Sequence, residues 1–210
     1  MKKLLLLLLF IPLMSFGQDF RKMSFGQSIE ELKETYPATE FVEENEMEMV
    51  ILSHDDMIGG IDTSVAYLFV DNLLVSGFYY FDRTSFKSSD DRYKDYKNIS
   101  EFLNGKYEME ETNTWHNDSY KNDPNRYSHA FAMGYVDFLE SYENDRVFIR
   151  HSVESSDGRI SHILGYSNPQ FAAQMRADKP LHPKHWWCHG QSRYLEIQTR
   201  FVHIQASQQR

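Results

Sequence analysis

The sequence predicts an α+β fold of two tandem modules, each a short helix packed on an antiparallel sheet of three to four strands. Three observations predict it. A helical pattern followed by strand patterns runs over about residues 20–82, and the same order of elements returns over about 89–168. The strand candidates are joined by short stretches rich in Asn, Asp, Ser and Gly. The central candidates are apolar on both faces, as buried strands are.

The chain opens with MKKLLLLLLFIPLMSFGQ, in which Lys2 and Lys3 precede an apolar run from Leu4 to about Met14 and then small residues. That is the pattern of a signal peptide, with cleavage expected after Gly17. The run is too short for a membrane span, which needs roughly 20 apolar residues. No cysteine follows it, so a lipid anchor is not expected. The expected location is the periplasm or the outside of a bacterial cell, with residues 18–84 and 85–168 as the modules and 169–210 as an appended tail.

In SIEELKETYP, Ser28 and Glu31 form a capping box, Ile29, Leu32 and Tyr36 fall on one face, and Pro37 ends the helix. EMEMVIL then alternates as a strand, and HDDMIGG reads as a turn. TSVAYLFVDNLLVSGFYYF reads as two strands about a tight Asp71-Asn72 turn. SSDDRYKDYKNISEFLNGKY carries Tyr93, Tyr96, Ile99 or Ser100, and Leu103 at helical spacing, with Gly105 as the expected C-cap. Three more strands are expected in SHAFAMGYVDFLESYE, RVFIRHSVES and GRISHILGYS. In the middle one Val147, Ile149, His151 and Val153 share a face opposite Arg146, Arg150 and Ser152, which implies a sheet with one wet side.

This layout resembles the tandem helix-plus-sheet arrangement of the β-lactamase inhibitor protein and of the related outer-membrane assembly lipoproteins. FRKMSFGQSIEELKETYP, Phe20 to Pro37, is similar to the opening of secreted proteins of that kind. The resemblance implies protein binding without chemistry, and it carries over no contact residue.

The composition narrows the function. A single cysteine among 210 residues excludes an internal disulfide, so the core alone holds the fold, and 15% aromatic residues supply it. The formal charge is -9, and from Arg176 onward six Lys or Arg face two acids, which leaves -13 on residues 1–175. An acidic body repels nucleic acid and anionic lipid. The expected partner is another envelope or extracellular protein.

The catalytic motifs are missing. There is no Gly-x-Ser-x-Gly elbow, phosphate loop, dinucleotide fingerprint or HExxH helix. A hydrolase built on carboxylates and imidazoles is the alternative, with His54, Asp55, His116, His151 and His162 as its candidates. His151 and His162 sit on strands expected to be neighbours, where two imidazoles fall short of the three or four ligands of a zinc site. WHNDSYKNDPN is a polar loop with aromatic anchors suited to recognition, and Trp115, Tyr120 and Asn125 are its candidate binding residues. In HPKHWWCHG, His182, His185, Cys188 and His189 supply donors for zinc or copper. Pro180 and Pro183 keep that segment from being a regular helix, so a tail with no cofactor is the expectation.

Overall fold

The computed structural model describes residues 18–46, 49–81, 88–156 and 159–177. The chain divides into two compact units, 1–169 and 170–210. The fold is α+β. In chain order the elements are helix α1 (Ile29–Thr35), strands β1 (Val42–Glu46), β2 (Met49–Ile58), β3 (Ile61–Val70) and β4 (Leu73–Phe81), and helix α2 (Ser89–Asn104). There follow β5 (Glu108–Glu111), β6 (Thr114–Trp115), α3 (Tyr127–Ala132), β7 (Val136–Glu143), β8 (Phe148–Ser156), β9 (Arg159–Ser167) and α4 (Pro169–Ala177). The apolar leader and the tail bearing His182, His185, Cys188 and His189 lie outside the described residues.

The strands expected as two sheets lie in one antiparallel sheet of nine, ordered β1-β2-β3-β4-β9-β8-β7-β5, with β6 also paired to β7. β4 and β9 meet at the centre, Phe78 opposite Gly165. The two rims, β1 and β5, carry Glu43 and Glu44 on one side and Glu108, Glu110 and Glu111 on the other. Like charge along a bare edge discourages pairing with a second chain.

α1 forms where the sequence places it. Ser28 Oγ accepts from the Glu31 amide at 3.3 Å, and Glu31 returns the bond by accepting from the Ser28 amide at 2.7 Å. Asp71 and Asn72 both take left-handed backbone, φ 52° and 63°, which a two-residue hairpin turn needs. Asn72 Oδ1 also accepts from the Ile29 amide at 3.3 Å, which ties the turn to the start of α1.

Two expectations are corrected. HDDMIGG is not all turn: β2 runs through His54–Ile58, with Asp55 opposite Ser64 and Met57 opposite Asp62, and reverses only at Gly59-Gly60. Both glycines have positive φ, 61° and 84°, and a side chain there would be strained. SHAFAM is helical, not strand. Ala130 and Phe131 are consecutive and both 0% exposed, an outcome a helix allows and an alternating strand does not.

α1, α2, α3 and the segment Phe20–Met23 pack on one face of the sheet. Phe20, Met23 and Leu32 close over Leu52, Val65, Tyr67 and Phe69. Gly77 is required there, because a Cβ at that position would sit 2.0 Å from the Phe20 ring. Leu103 closes over Phe81, Tyr142, Ile149 and Leu164, and Phe131 over Val136, Phe138 and Val153. On the other face of β8, expected to be wet, Arg150 reaches Glu154 at 3.8 Å across the intervening Ser152, which is buried. That face is not wet, since Ala66, Leu68, Phe78 and Ile163 on the same side of the sheet are buried as well.

Candidate functional site

The interior beneath α2 is polar. Its residues come from four elements whose local patterns put them there. Arg92, Tyr96 and Ser100 recur every four residues and share one helical face, and all three are buried. Glu140 lies on the inward face of β7 between Phe138 and Tyr142, and the sheet register sets it directly across from His151 on β8. His162 on β9 pairs with Val153, so it stands diagonally from His151 on the same face.

These side chains form a chain of contacts. The Ser100 hydroxyl donates to Glu140 Oε2 at 2.5 Å and the Tyr142 hydroxyl to the same oxygen at 2.7 Å. His151 Nδ1 lies 3.4 Å from that oxygen, and its Nε2 lies 3.0 Å from His162 Nε2. His162 Nδ1 is 3.9 Å from Asp95 Oδ2 on α2. The Tyr96 ring stacks on His151 with centroids 4.4 Å apart, and Phe81 lies against His162 at 4.5 Å. Glu140, His151 and His162 are 2%, 0% and 1% exposed, so the centre is sealed.

Burial dominates the electrostatics. It pushes both imidazoles below their ordinary range, His151 against the opposing pull of Glu140, and His162 further, with His151 and Arg92 adding to the fall. Burial also pushes Glu140 up, but its bonds from His151, Ser100 and Tyr142 outweigh that and hold the carboxyl below its usual range. Burial raises Asp95 and, with Glu140 beside it, Tyr96. The resting arrangement is therefore a carboxylate with two neutral rings. With Glu140 accepting, His151 Nδ1 carries the hydrogen, His151 Nε2 is a lone pair, and His162 Nε2–H donates to it.

The expected meeting of His151 and His162 is present. Sequence reasoning placed Ser100 only as a possible member of the helical face with Tyr96 and did not single out Glu140, Asp95 or Arg92, although an acid amid Val136, Phe138 and Tyr142 on an alternating strand was a visible signal. Among the described residues no group of three His, Cys, Asp or Glu side chains is arranged to hold a metal ion.

The other candidates are dispersed. His54 and Asp56 point to one face of β2 and Asp55 to the other. His54 stacks on Tyr67 at 6.1 Å beside Phe41, Asp56 pairs with Arg21 at 2.5 Å, and Asp55 accepts from Ser64 at 2.9 Å. His116 reaches Asp137 at 2.7 Å near the surface. These contacts do not converge with His151 and His162 on one reacting point.

The stretch from Trp115 to Asn125 is folded. Two single turns of 3-10 helix, Asp118–Tyr120 and Pro124–Arg126, are capped by Asn117 and Asp123. Trp115 is half-buried, its ring 5.0 Å from Tyr127. Tyr120 lies 5.4 Å from Tyr135 with the Arg126 guanidinium 4.4 Å over its ring, and Asn125 is exposed. The Tyr127 hydroxyl donates to the Lys121 carbonyl at 2.8 Å and closes the stretch.

Comparison with known proteins finds no matching family model, no matching curated protein and no matching solved structure. No helix among the described residues is long and apolar enough to cross a membrane.

Proposed function

We propose that this protein is an exported, non-catalytic binding module of the bacterial cell envelope that holds another protein through the connection between β5 and β7. The observation that carries the reading is the build of that connection. Trp115, Tyr120, Tyr127 and Tyr135 root it in the apolar cluster around Phe138, while Asn125, Arg126 and Met133 stand outside. Trp, Tyr and Arg are the residues that dominate protein interfaces. A segment held by its own caps loses less conformational freedom on binding than a slack loop does. The sealed imidazole pair offers no group to a substrate from outside, which favours binding over hydrolysis. The acidic body favours a partner with a basic surface. Protein binding is also what the resemblance in layout to the β-lactamase inhibitor protein implies.

The test is site-specific photo-crosslinking in envelope extract of the host. A photoreactive residue at Asn125 or at Met133 is expected to give one and the same product, and the additional change Arg126→Ala to reduce its yield at least tenfold. A probe at Glu34, on exposed α1, is expected to give none. Equal labelling from Glu34, or no product from Asn125 and Met133, sinks the reading.

A further inference from the structure

The contact between His151 and His162 has a limited capacity for protons. Two neutral imidazoles carry one hydrogen each, and the 3.0 Å approach of their Nε2 atoms admits one hydrogen between them. A third ring hydrogen still fits, on His162 Nδ1, which faces Asp95. A fourth does not. Both Nε2 atoms would then bear hydrogen, and two cations would face each other at that separation.

The groups around the pair come from every element packed on it. Glu140 on β7 and Asp95 on α2 favour added positive charge, Arg92 and Lys97 on α2 oppose it, and Tyr96 and Tyr142 complete the shell. In water, by contrast, both rings are free to charge below a pH of about 6.5. Acid therefore draws the pair apart. The helix that covers the pair is α2, which lays Arg92, Tyr96 and Ser100 on the centre.

α2 is also the underside of the connection between β5 and β7. Tyr96 meets Phe138 at 5.6 Å, and Phe138 meets Tyr127 at 5.9 Å, Phe131 at 6.3 Å and Trp115 at 6.4 Å. We propose that the His151–His162 pair, braced by Glu140, is an acid-released latch: when the pair is doubly protonated, α2 lifts from the sheet and the connection loses the support that shapes it for its partner. The release of α2 stands on the geometry of the pair, and the loss of partner binding rests on the function proposed above.

Hydrogen exchange of the full chain at pH 7.5 and pH 5.0, corrected for intrinsic rates, tests the release. Amides in 89–104 and 127–132 are expected to lose at least tenfold in protection at the lower pH while those in 29–35 and 63–69 hold theirs. His162→Gln keeps a donor at the Nε2 position and cannot be charged, so it is expected to keep α2 protected at pH 5.0. Because that variant risks misfolding, the imidazole proton resonances of the unmodified chain are followed as well. The two rings are expected not to be charged together until α2 protection falls. Ordinary titration of both rings while α2 stays protected, loss of α1 and α2 together, or a folded His162→Gln chain that opens like the parent would each overturn the latch. The crosslinking yield at Asn125, followed over the same range, separates the two ideas. If α2 opens and the yield stays constant, the release of α2 stands and its coupling to the partner-binding connection is overturned; if no product forms at either pH, the binding surface itself is overturned.

Discussion

The two halves of the helix-covered face bury their layers in different ways. Over β2 and β3 the interior is mainly apolar, with Leu32 set on Leu52, Val65 and Phe69, and the Arg21–Asp56 pair and His54 lie toward the far end of β2 on the same face. Over β7, β8 and β9 the same layer holds Glu140, His151 and His162 beneath Arg92, Tyr96 and Ser100. The apolar half draws its stability from area removed from water, which no pH between 5 and 8 changes. The polar half depends on every donor finding its acceptor, and a network that is complete at one protonation state is broken at the next. One sheet thus joins an acid-indifferent half to an acid-sensitive one.

The most severe way to break this comparison is Glu140→Ala. It strands Ser100, Tyr142 and His151 at once, and removing one partner of a buried charged network costs about 3–5 kcal/mol. Urea unfolding at pH 7.5 measures it, and a loss under 1 kcal/mol would mean that the network carries little weight.

Leu32→Ala sharpens the contrast from the other side. Its side chain is 0% exposed, and truncation is expected to cost about 2–5 kcal/mol by the usual cavity effect. That loss should be the same at pH 7.5 and pH 5.5. The stability of the parent chain should itself fall over that interval. His151 and His162 are held below their ordinary range, so the unfolded chain takes up protons there that the folded chain refuses. The stability they support is complete above about pH 6.5 and drains away as pH drops, by up to about 1.4 kcal/mol per pH unit for each refused proton. Glu140, whose carboxyl is held low, adds a loss of the same sign below about pH 4.3.

Ser28→Ala should have the smallest effect, about 1 kcal/mol, since it removes one half of the capping box on an exposed helix start. Its effect should also be indifferent to pH over 5.5–7.5, which unfolding at the two values checks.

Much of the apolar half was legible because its signals are local. The capping box at Ser28 and Glu31 and the Asp71-Asn72 turn each specify their geometry within four residues. β1 was not legible: Val42–Glu46 is an acidic rim without apolar alternation, and it is a strand because β2 pairs with it. SHAFAM misled for a related reason, since six residues ending in four apolar side chains in a row fit either period until Val136 and Phe138 arrive to cover two of them. His151 and His162 drew notice as histidines on neighbouring strands, but the diagonal offset that joins them, and the α2 residues that seal them, are products of register and helix placement.

The seam between β4 and β9 has a consequence for how the molecule is made. β4 ends at Phe81 and β9 begins at Arg159, so the centre of the sheet joins stretches separated by all of residues 82–158. A polypeptide emerging from its N-terminus can pair β1 through β4 early, and then waits with one flank of β4 bare until almost the last strand arrives. Contacts so distant in sequence form slowly. Commitment to the finished architecture comes late, and during the wait the inner flank of β4, which lacks the glutamates of the outer rims, is the place where a wrong strand would add.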